Sequence, residues 1–126
     1  MVDIERIMPE GAAVAGPYSP GIKVGNVLYV SGQGSKPGDE DIRAQTETVL
    51  NNIKAIVEAA GGKVENIVKT TVYLKSIRDF GKMNRAYKKF FTSNGVAEGF
   101  PARTTIEVAN LPLPIMLIEI DAIAVL

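Results

Sequence analysis

The sequence contains no cysteine and no histidine among its 126 residues. Without cysteine, the chain forms no disulfide, offers no thiol nucleophile and holds no thiolate-bound metal. Without histidine, it has no imidazole general base, no Ser-His-Asp triad and no His-ligated zinc. Any catalysis therefore depends on carboxylates, arginine, lysine, tyrosine, hydroxyl groups, the backbone and water, and we expect no metal site.

The sequence also lacks an excess of either charge, because 14 Lys and Arg residues balance 14 Asp and Glu residues. The basic residues are scattered, and only Lys88 and Lys89 are adjacent. Proteins that bind nucleic acids usually carry a concentrated basic face. The charge pattern therefore argues against nucleic acid as a partner.

Long hydrophobic runs are absent as well. The longest, residues 113–118, is far shorter than the roughly 20 residues that span a bilayer. The opening MVDIERIMPEG carries acidic residues early and has no apolar signal core. We therefore expect a cytoplasmic protein without membrane association. The length favours one domain over residues 1–126, since single domains usually have about 100–200 residues.

Hydrophobic periodicity predicts two amphipathic helices. The first follows a cap at Asp41 and ends at Ala60, before Gly61 and Gly62, and the second runs from residue 77 or 79 to Phe91. Strands are predicted over residues 4–7, 22–24, 27–31, 68–74, 103–110 and 117–125. The order β-β-β-α-β-α-β-β predicts an α+β domain, in which both helices pack on one face of a mixed sheet.

The second face of that sheet is predicted to carry a mixture of side chains. Alternation along the strands places Thr71, Tyr73, Arg103 and Thr105 there. This set is too mixed for a second core and too regular for a plain surface. We therefore expect an oligomer to cover this face.

Arg103, in the stretch FPARTTIEV, is the main binding candidate. Burying an unpaired guanidinium costs several kcal/mol, so Arg103 is paired internally, solvated, or held ready for an anion. If the last two strands form an antiparallel hairpin through the LPLP turn, a carboxylate of the last strand, Glu119 or Asp121, lies within a few residues of Arg103. The ordinary outcome is then an ion pair within the sheet, and the alternative is an anion site.

Other polar residues have ordinary interpretations when they are taken alone. Asn84 lies at the edge of the apolar stripe of the second helix, where it can bond to the backbone. Tyr18 belongs to the turn PYSPG. The residues by themselves therefore indicate a possible anion site but no particular reaction.

Five segments together resemble the RidA/YjgF family of reactive-intermediate deaminases. In chain order they are YSPGIKVGNVLYVSGQ, QTETVLNNIKAIVEAAG, IVKTTVYLKSIRDF, FPARTTIEVANLP and IEIDAIAV. The resemblance covers nearly the whole chain, and its last two segments are the most specific. It implies a chorismate-mutase-like α+β fold and a homotrimer with a central barrel, with active sites in clefts between subunits.

The resemblance also implies an activity, the hydrolytic deamination of reactive 2-enamino and 2-imino acids to 2-keto acids and ammonia. Examples are 2-aminoacrylate and 2-aminocrotonate, which pyridoxal-phosphate-dependent dehydratases release. The expected partners are these small molecules and further copies of the chain, and no cofactor is expected.

Site residues carry over by position. The resemblance implies that Arg103 anchors the substrate carboxylate bidentately, that Glu119 positions the attacking water, and that Tyr18 is a third catalytic residue of the cleft. It also implies substrate-binding roles for Asn84, Ser31, Gly32 and Thr105.

Three features depart from the family pattern. Thr105 stands where many members have cysteine, the loop at residues 33–41 is shorter than usual, and the turn at 111–118 is about one residue longer.

Two other functions are also known or conceivable for such a chain. One is an endoribonuclease or translation inhibitor, and the other is a non-catalytic trimer that binds small carboxylates or acts as a chaperone.

Overall fold

The computed structural model describes residues 2–126. The strands are β1 Ile4–Ile7, β2 Gly21–Val24, β3 Val27–Gln33, β4 Ile67–Leu74, β5 Ala102–Glu107 and β6 Ile118–Val125, and the helices are α1 Ile42–Ala59 and α2 Phe80–Ser93. The strands form one mixed sheet in the order β1-β2-β3-β6-β4-β5, with both helices on one face. The predicted α+β class, mixed sheet and element order are confirmed.

Helix α1 begins and ends where its sequence indicates. The Asp41 side chain accepts a 2.8 Å hydrogen bond from the Ala44 N–H, which satisfies one free donor of the first turn. At the other end Gly61 takes a φ of 89°, and the Gly62 N–H donates to the Val57 carbonyl at 2.9 Å. No helix in the described part of the chain is long and apolar enough to cross a membrane.

Strand β6 occupies the centre of the sheet, antiparallel to β3 on one side and to β4 on the other. Its side chains alternate between the two faces. Those that face the helices are at most 3% exposed, namely Ile118, Ile120, Ala122 and Ala124. The intervening residues, Glu119 and Asp121 among them, point to the opposite face.

The predicted antiparallel hairpin of the last two strands is wrong. Strand β5 pairs with β4 in parallel, with Arg103 opposite Thr70, and β4 separates it from β6. Parallel neighbours need a crossover connection, which α2 supplies between β4 and β5. Residues 108–117 then pass around the end of β4, where the Lys75 N–H donates to the Leu117 carbonyl at 3.0 Å.

The predicted face of Arg103 and Thr105 is wrong as well. In the parallel pairing these residues lie opposite Thr70 and Val72, whose side chains are 0% exposed beneath the helices. Arg103 and Thr105 therefore share the helix-covered face. The predicted alternation along β5 is correct. The strand that pairs with β5 determines which of its two sets of side chains lies beneath the helices.

The face without helices is called the open face below. It carries Thr71 and Tyr73, as predicted, and apolar side chains lie among its polar ones. Tyr29, Ile106 and Val125 on this face are 50%, 42% and 40% exposed. The open face is therefore partly apolar, as expected of a surface that another chain covers.

Candidate functional site

Arg103 is held against α2 by aromatic side chains. Its guanidinium carbon lies 4.8 Å from the ring centroid of Tyr87 and 5.6 Å from that of Phe80. Both distances allow cation–π attraction. A guanidinium nitrogen also lies 3.9 Å from the sulfur of Met83. Residues of α2 thus fix the position of the positive charge.

No carboxylate of the described chain neutralises this guanidinium. The only ion pair recorded for residues 2–126 joins Arg43 and Glu47 at 4.0 Å on the surface of α1. The ion pair expected for Arg103 within the sheet is therefore absent there. Because a guanidinium has five N–H donors and the contact with sulfur is weak, most of its hydrogen-bonding capacity is unused.

A buried hydrogen bond fixes the position of Tyr87, one of the two aromatic residues that contact Arg103. The hydroxyl groups of Tyr87 and Thr70 are 2.7 Å apart and form a buried hydrogen bond between α2 and β4. Burial raises the pKa of Tyr87, although the hydrogen bond with Thr70 and the charge of Arg103 oppose this. The phenol therefore stays neutral, and its ring remains available to the cation.

Two buried polar atoms near Arg103 have no hydrogen-bond partner in the described chain. They are the Asn84 Oδ1 on α2, one residue beyond Met83, and the Thr105 Oγ1, two residues along β5 on the same face. Buried polar atoms in folded proteins are usually paired. The guanidinium and the Thr105 hydroxyl can donate to an anion, whereas the Asn84 Oδ1 needs a donor, so the three together indicate a place for a polar ligand that has both an anionic group and an N–H or O–H.

Glu119 lies elsewhere, in the wall of a cavity of about 540 Å³. Tyr18 and Gly32 line the same cavity, together with apolar side chains that include Val14 and Met116. Burial raises the pKa of the Glu119 carboxyl group, and the nearby Asp121 carboxylate raises it further. A carboxylate of raised pKa is a stronger base than a solvated glutamate.

Asp121 has a partner of its own. The Tyr73 hydroxyl donates to its Oδ2 at 2.8 Å, and this hydrogen bond is the main reason that the pKa of Tyr73 is raised. Tyr73 lies directly opposite Glu119 in the pairing of β4 with β6. Its hydroxyl is nevertheless engaged with Asp121 and does not hold the Glu119 carboxyl group.

The loop that carries Tyr18 is fastened to β3. The Ser31 hydroxyl donates to the Ser19 carbonyl at 2.6 Å, and the Ser31 N–H donates to the Pro20 carbonyl at 2.9 Å. The Tyr18 hydroxyl accepts a 3.4 Å hydrogen bond from the Ala15 N–H. Its own proton therefore remains available at the edge of the cavity.

The predicted site residues form two groups. The arginine group, on the helix-covered face, consists of Arg103, Asn84 and Thr105. The glutamate group consists of Glu119, Gly32 and Tyr18, which line the cavity, and of Ser31, which fastens the loop that carries Tyr18. The predicted proximity of Arg103 and Glu119 within one chain is wrong, because it relied on the hairpin, and the two side chains point to opposite faces of the sheet.

Sequence reasoning missed several supporting residues. Met83 and Tyr87 lie on the apolar stripe of α2, and they also touch the guanidinium of Arg103. The strand–helix–strand order of residues 67–107 was the available signal, because it is typical of a parallel pair with a crossover helix.

Comparison with known proteins adds a family and several relatives. The family model described as Endoribonuclease L-PSP matches residues 9–126. A 2-iminobutanoate/2-iminopropanoate deaminase from Escherichia coli strain K12 is 48% identical over 127 residues, which cover 96% of this chain and 97% of the relative. A RutC family protein from Pyrococcus horikoshii is 49% identical over 115 residues, or 86% of either chain.

Solved structures agree with this relationship. The YjgF gene product of E. coli is 46% identical, with a TM-score of 0.87 over 96% of this chain and 98% of the other. E. coli TdcF, solved with bound serine, is 35% identical, with a TM-score of 0.88 over 97% and 98%.

Proposed function

Because the chain belongs to the RidA/YjgF family, we propose that it is a single-domain deaminase that hydrolyses 2-imino acids to 2-keto acids and ammonia. The observation that carries the proposal is the half-buried guanidinium of Arg103, which has no carboxylate partner in the described chain. The name of the 48% identical E. coli relative supplies the reaction class.

The substrate carboxylate is assigned to the arginine group. Arg103 presents a planar edge of N–H donors that matches the two oxygens of a carboxylate. The buried Thr105 hydroxyl can donate to that carboxylate, whereas the buried Asn84 Oδ1 is an acceptor and pairs only with an N–H or O–H donor, such as the N–H of the imine. The bound serine of the TdcF structure, an amino acid with the same carboxylate, supports an anion of this kind.

The reaction needs a water molecule and proton transfers in two stages. Water adds to C2 of the imine and gives a proton to a base, and the nitrogen takes up a proton to form a carbinolamine. The hydroxyl group of this adduct then loses its proton, the nitrogen takes up a second one, and the C–N bond breaks to release ammonia. The remaining carbon and oxygen become the keto group. Overall, the reaction consumes one imino acid and one water molecule and releases one keto acid and one ammonia.

The glutamate group is assigned to this step. Glu119 accepts the proton from water, as its burial and raised pKa favour. Tyr18 lies at the same cavity and has a free hydroxyl proton to offer to the imine nitrogen. Because imines hydrolyse in plain water, positioning and modest acid–base help are sufficient without histidine.

A second copy of the chain is proposed to bring the two groups together. The arginine group and the glutamate group lie on different faces of one sheet, so a cleft between neighbouring chains has to combine them. The exposed apolar residues of the open face give such an assembly a surface to bury. We propose the homotrimer with a central barrel as this assembly, with small imino acids as its ligands.

The experiment generates 2-aminocrotonate from threonine with a dehydratase and measures loss of the imine by competition with semicarbazide. Wild type is compared with Arg103→Ala and with Arg85→Ala, a control arginine that is exposed on α2. We expect wild type and Arg85→Ala to accelerate release of the keto acid and Arg103→Ala to lose most of this effect. Each protein is checked for folding and oligomer mass.

One result would overturn the proposal. If wild type binds a small carboxylate but leaves imine decay unchanged, the site binds ligands without turnover and the proposal fails. Cleavage of RNA by wild type and by Arg103→Ala alike would instead favour an endoribonuclease activity. The neutral net charge and the absence of histidine weigh against that activity.

A further inference from the structure

The Glu119 carboxyl group lies directly against the backbone of Gly32. A Cβ atom at position 32 would be 2.5 Å from Glu119 Oε2, 2.8 Å from its Cδ and 3.1 Å from its Cγ. These separations are shorter than van der Waals contact. The carboxyl group therefore occupies the space that any other side chain at position 32 would need.

A β-bulge brings Gly32 to this place. Val30 pairs with Ala122 and Gln33 with Ile120, so three steps along β3 correspond to two steps along β6. The extra residue falls at Ser31 and Gly32. Bulges are often found next to functional sites, where they redirect part of a strand. Here the bulge sets the backbone of β3 beneath the Glu119 side chain.

The backbone conformation does not explain the glycine. Six other glycines, such as Gly11 and Gly25, have positive φ values that other residues rarely adopt, but Gly32 is not among them. Alanine fits the φ of position 32, and the three atoms nearest to its Cβ would all belong to Glu119. Space for that group is therefore what requires glycine here.

We propose that Gly32 is a positioning residue for the deaminase reaction: its missing side chain lets the Glu119 carboxyl group lie where it meets the attacking water. This inference rests on the proposed function. The role that it assigns to Gly32 does not require Gly32 to contact the substrate. The β3 backbone lies against the carboxyl group on one side, and Asp121, which accepts a hydrogen bond from Tyr73, is the nearby negative charge on its own strand.

Gly32→Ala separates this role from a structural one. The nearest atoms to the new Cβ belong to the end of a flexible side chain, so the protein folds while the carboxyl group moves away. We expect kcat to fall about 10²-fold, the scale of a displacement of about 1 Å, with KM within about two-fold of wild type. The control is Gly81→Ala on α2, where the new Cβ meets nothing within 4 Å apart from its chain neighbours and the backbone of its own helix, and no loss of activity is expected.

A double variant tests whether Gly32 acts through Glu119. Gly32→Ala combined with Glu119→Ala should have a kcat within about two-fold of Glu119→Ala alone, because the displaced group is no longer present. If the two losses multiply instead, the methyl group disturbs the substrate or the backbone directly, and the positioning role is refuted.

A readout without substrate distinguishes failure of this inference from failure of the proposed function. The titration of the Glu119 carboxyl group is followed by ¹³C NMR in wild type and in Gly32→Ala. We expect its pKa to move toward that of a solvated glutamate in the variant. If this shift occurs while wild type hydrolyses no imine, the positioning of the carboxyl stands and the proposed reaction fails. An unchanged titration refutes the positioning role.

Discussion

At the scale of single residues, Arg103 differs from an ordinary surface arginine in what surrounds it. Two aromatic rings and a sulfur atom hold its guanidinium, and the described chain provides no carboxylate for it. Aromatic faces support the flat side of a guanidinium and leave its N–H edge to other partners. The residue is thus prepared for a planar anion.

Lysine in place of Arg103 should therefore be a severe change although it keeps the charge. An ammonium group is a point charge that cannot bind a carboxylate through two parallel bonds. We expect Arg103→Lys to lower kcat/KM about 10- to 100-fold, the equivalent of losing one charged hydrogen bond, mainly through a higher KM. Steady-state kinetics with 2-iminobutanoate, with Arg85→Lys as the control, measures this. Kinetics close to wild type would rule out bidentate binding.

The raised pKa of Glu119 predicts a pH dependence of stability. A folded carboxyl with a raised pKa keeps its proton where the unfolded chain has released it, so the free energy of unfolding falls as pH rises. The fall runs from the usual glutamate pKa up through the raised pKa of Glu119, where burial and Asp121 oppose its charge. Glu119→Gln, which does not titrate, lacks this decline.

Urea unfolding of wild type and Glu119→Gln from pH 4 to 8 tests this prediction. We expect wild type to lose stability relative to the variant as pH rises. Curves that stay parallel over the whole range would show that the carboxyl group is solvated in the folded protein.

At the scale of secondary structure elements, the contact between α2 and β4 determines where Arg103 lies. The buried hydrogen bond between Thr70 and Tyr87 connects the two elements, and Tyr87 in turn supports the guanidinium. Strand β4 therefore helps to position Arg103, which belongs to β5.

Thr70→Val should destabilise the protein by about 1–3 kcal/mol, because it leaves the buried Tyr87 hydroxyl without its partner. The double variant Thr70→Val with Tyr87→Phe removes both hydroxyls and should recover much of this loss. Urea denaturation measures both variants, and Thr71→Val on the open face is the control. Equal stability of the single and double variants would mean that the hydrogen bond contributes little.

The sequence predicts most elements but not how the last two strands are placed. Local signals, such as the Asp41 cap and the glycines after α1, mark helix ends because the responsible contacts lie within a few residues. The face of Arg103 depends instead on β4, which is more than thirty residues distant in sequence. The bulge at Gly32 depends on its pairing with β6, so periodicity within β3 does not reveal it.

At the scale of the whole molecule, the division of the site between two faces predicts complementation. Arg103→Ala and Glu119→Ala are each expected to lose most of their activity. When they are unfolded and refolded together in equal amounts, each interchain cleft receives an intact arginine group with probability one half, and likewise an intact glutamate group. About one quarter of wild-type activity should therefore return if subunits mix at random.

The matched control is a mixture of Arg103→Ala with Asn84→Ala. Both lesions lie in the arginine group, so no cleft in any mixed oligomer has that group intact, and each cleft keeps the activity of one variant or the other. Assays of imine hydrolysis on the refolded mixtures give the comparison. If the first mixture is no more active than its parents, the two groups do not meet between chains.

The central place of β6 also affects how the protein is made. During synthesis the ribosome produces β6 after the strands on both of its sides, β3 and β4. Until β6 emerges, each of these strands has an edge of unpaired N–H and C=O groups, and such edges can pair with other nascent chains. The sheet is therefore completed late, through contacts distant in sequence, and a chaperone that shields these two edges during translation would protect the chain when it is most prone to aggregate.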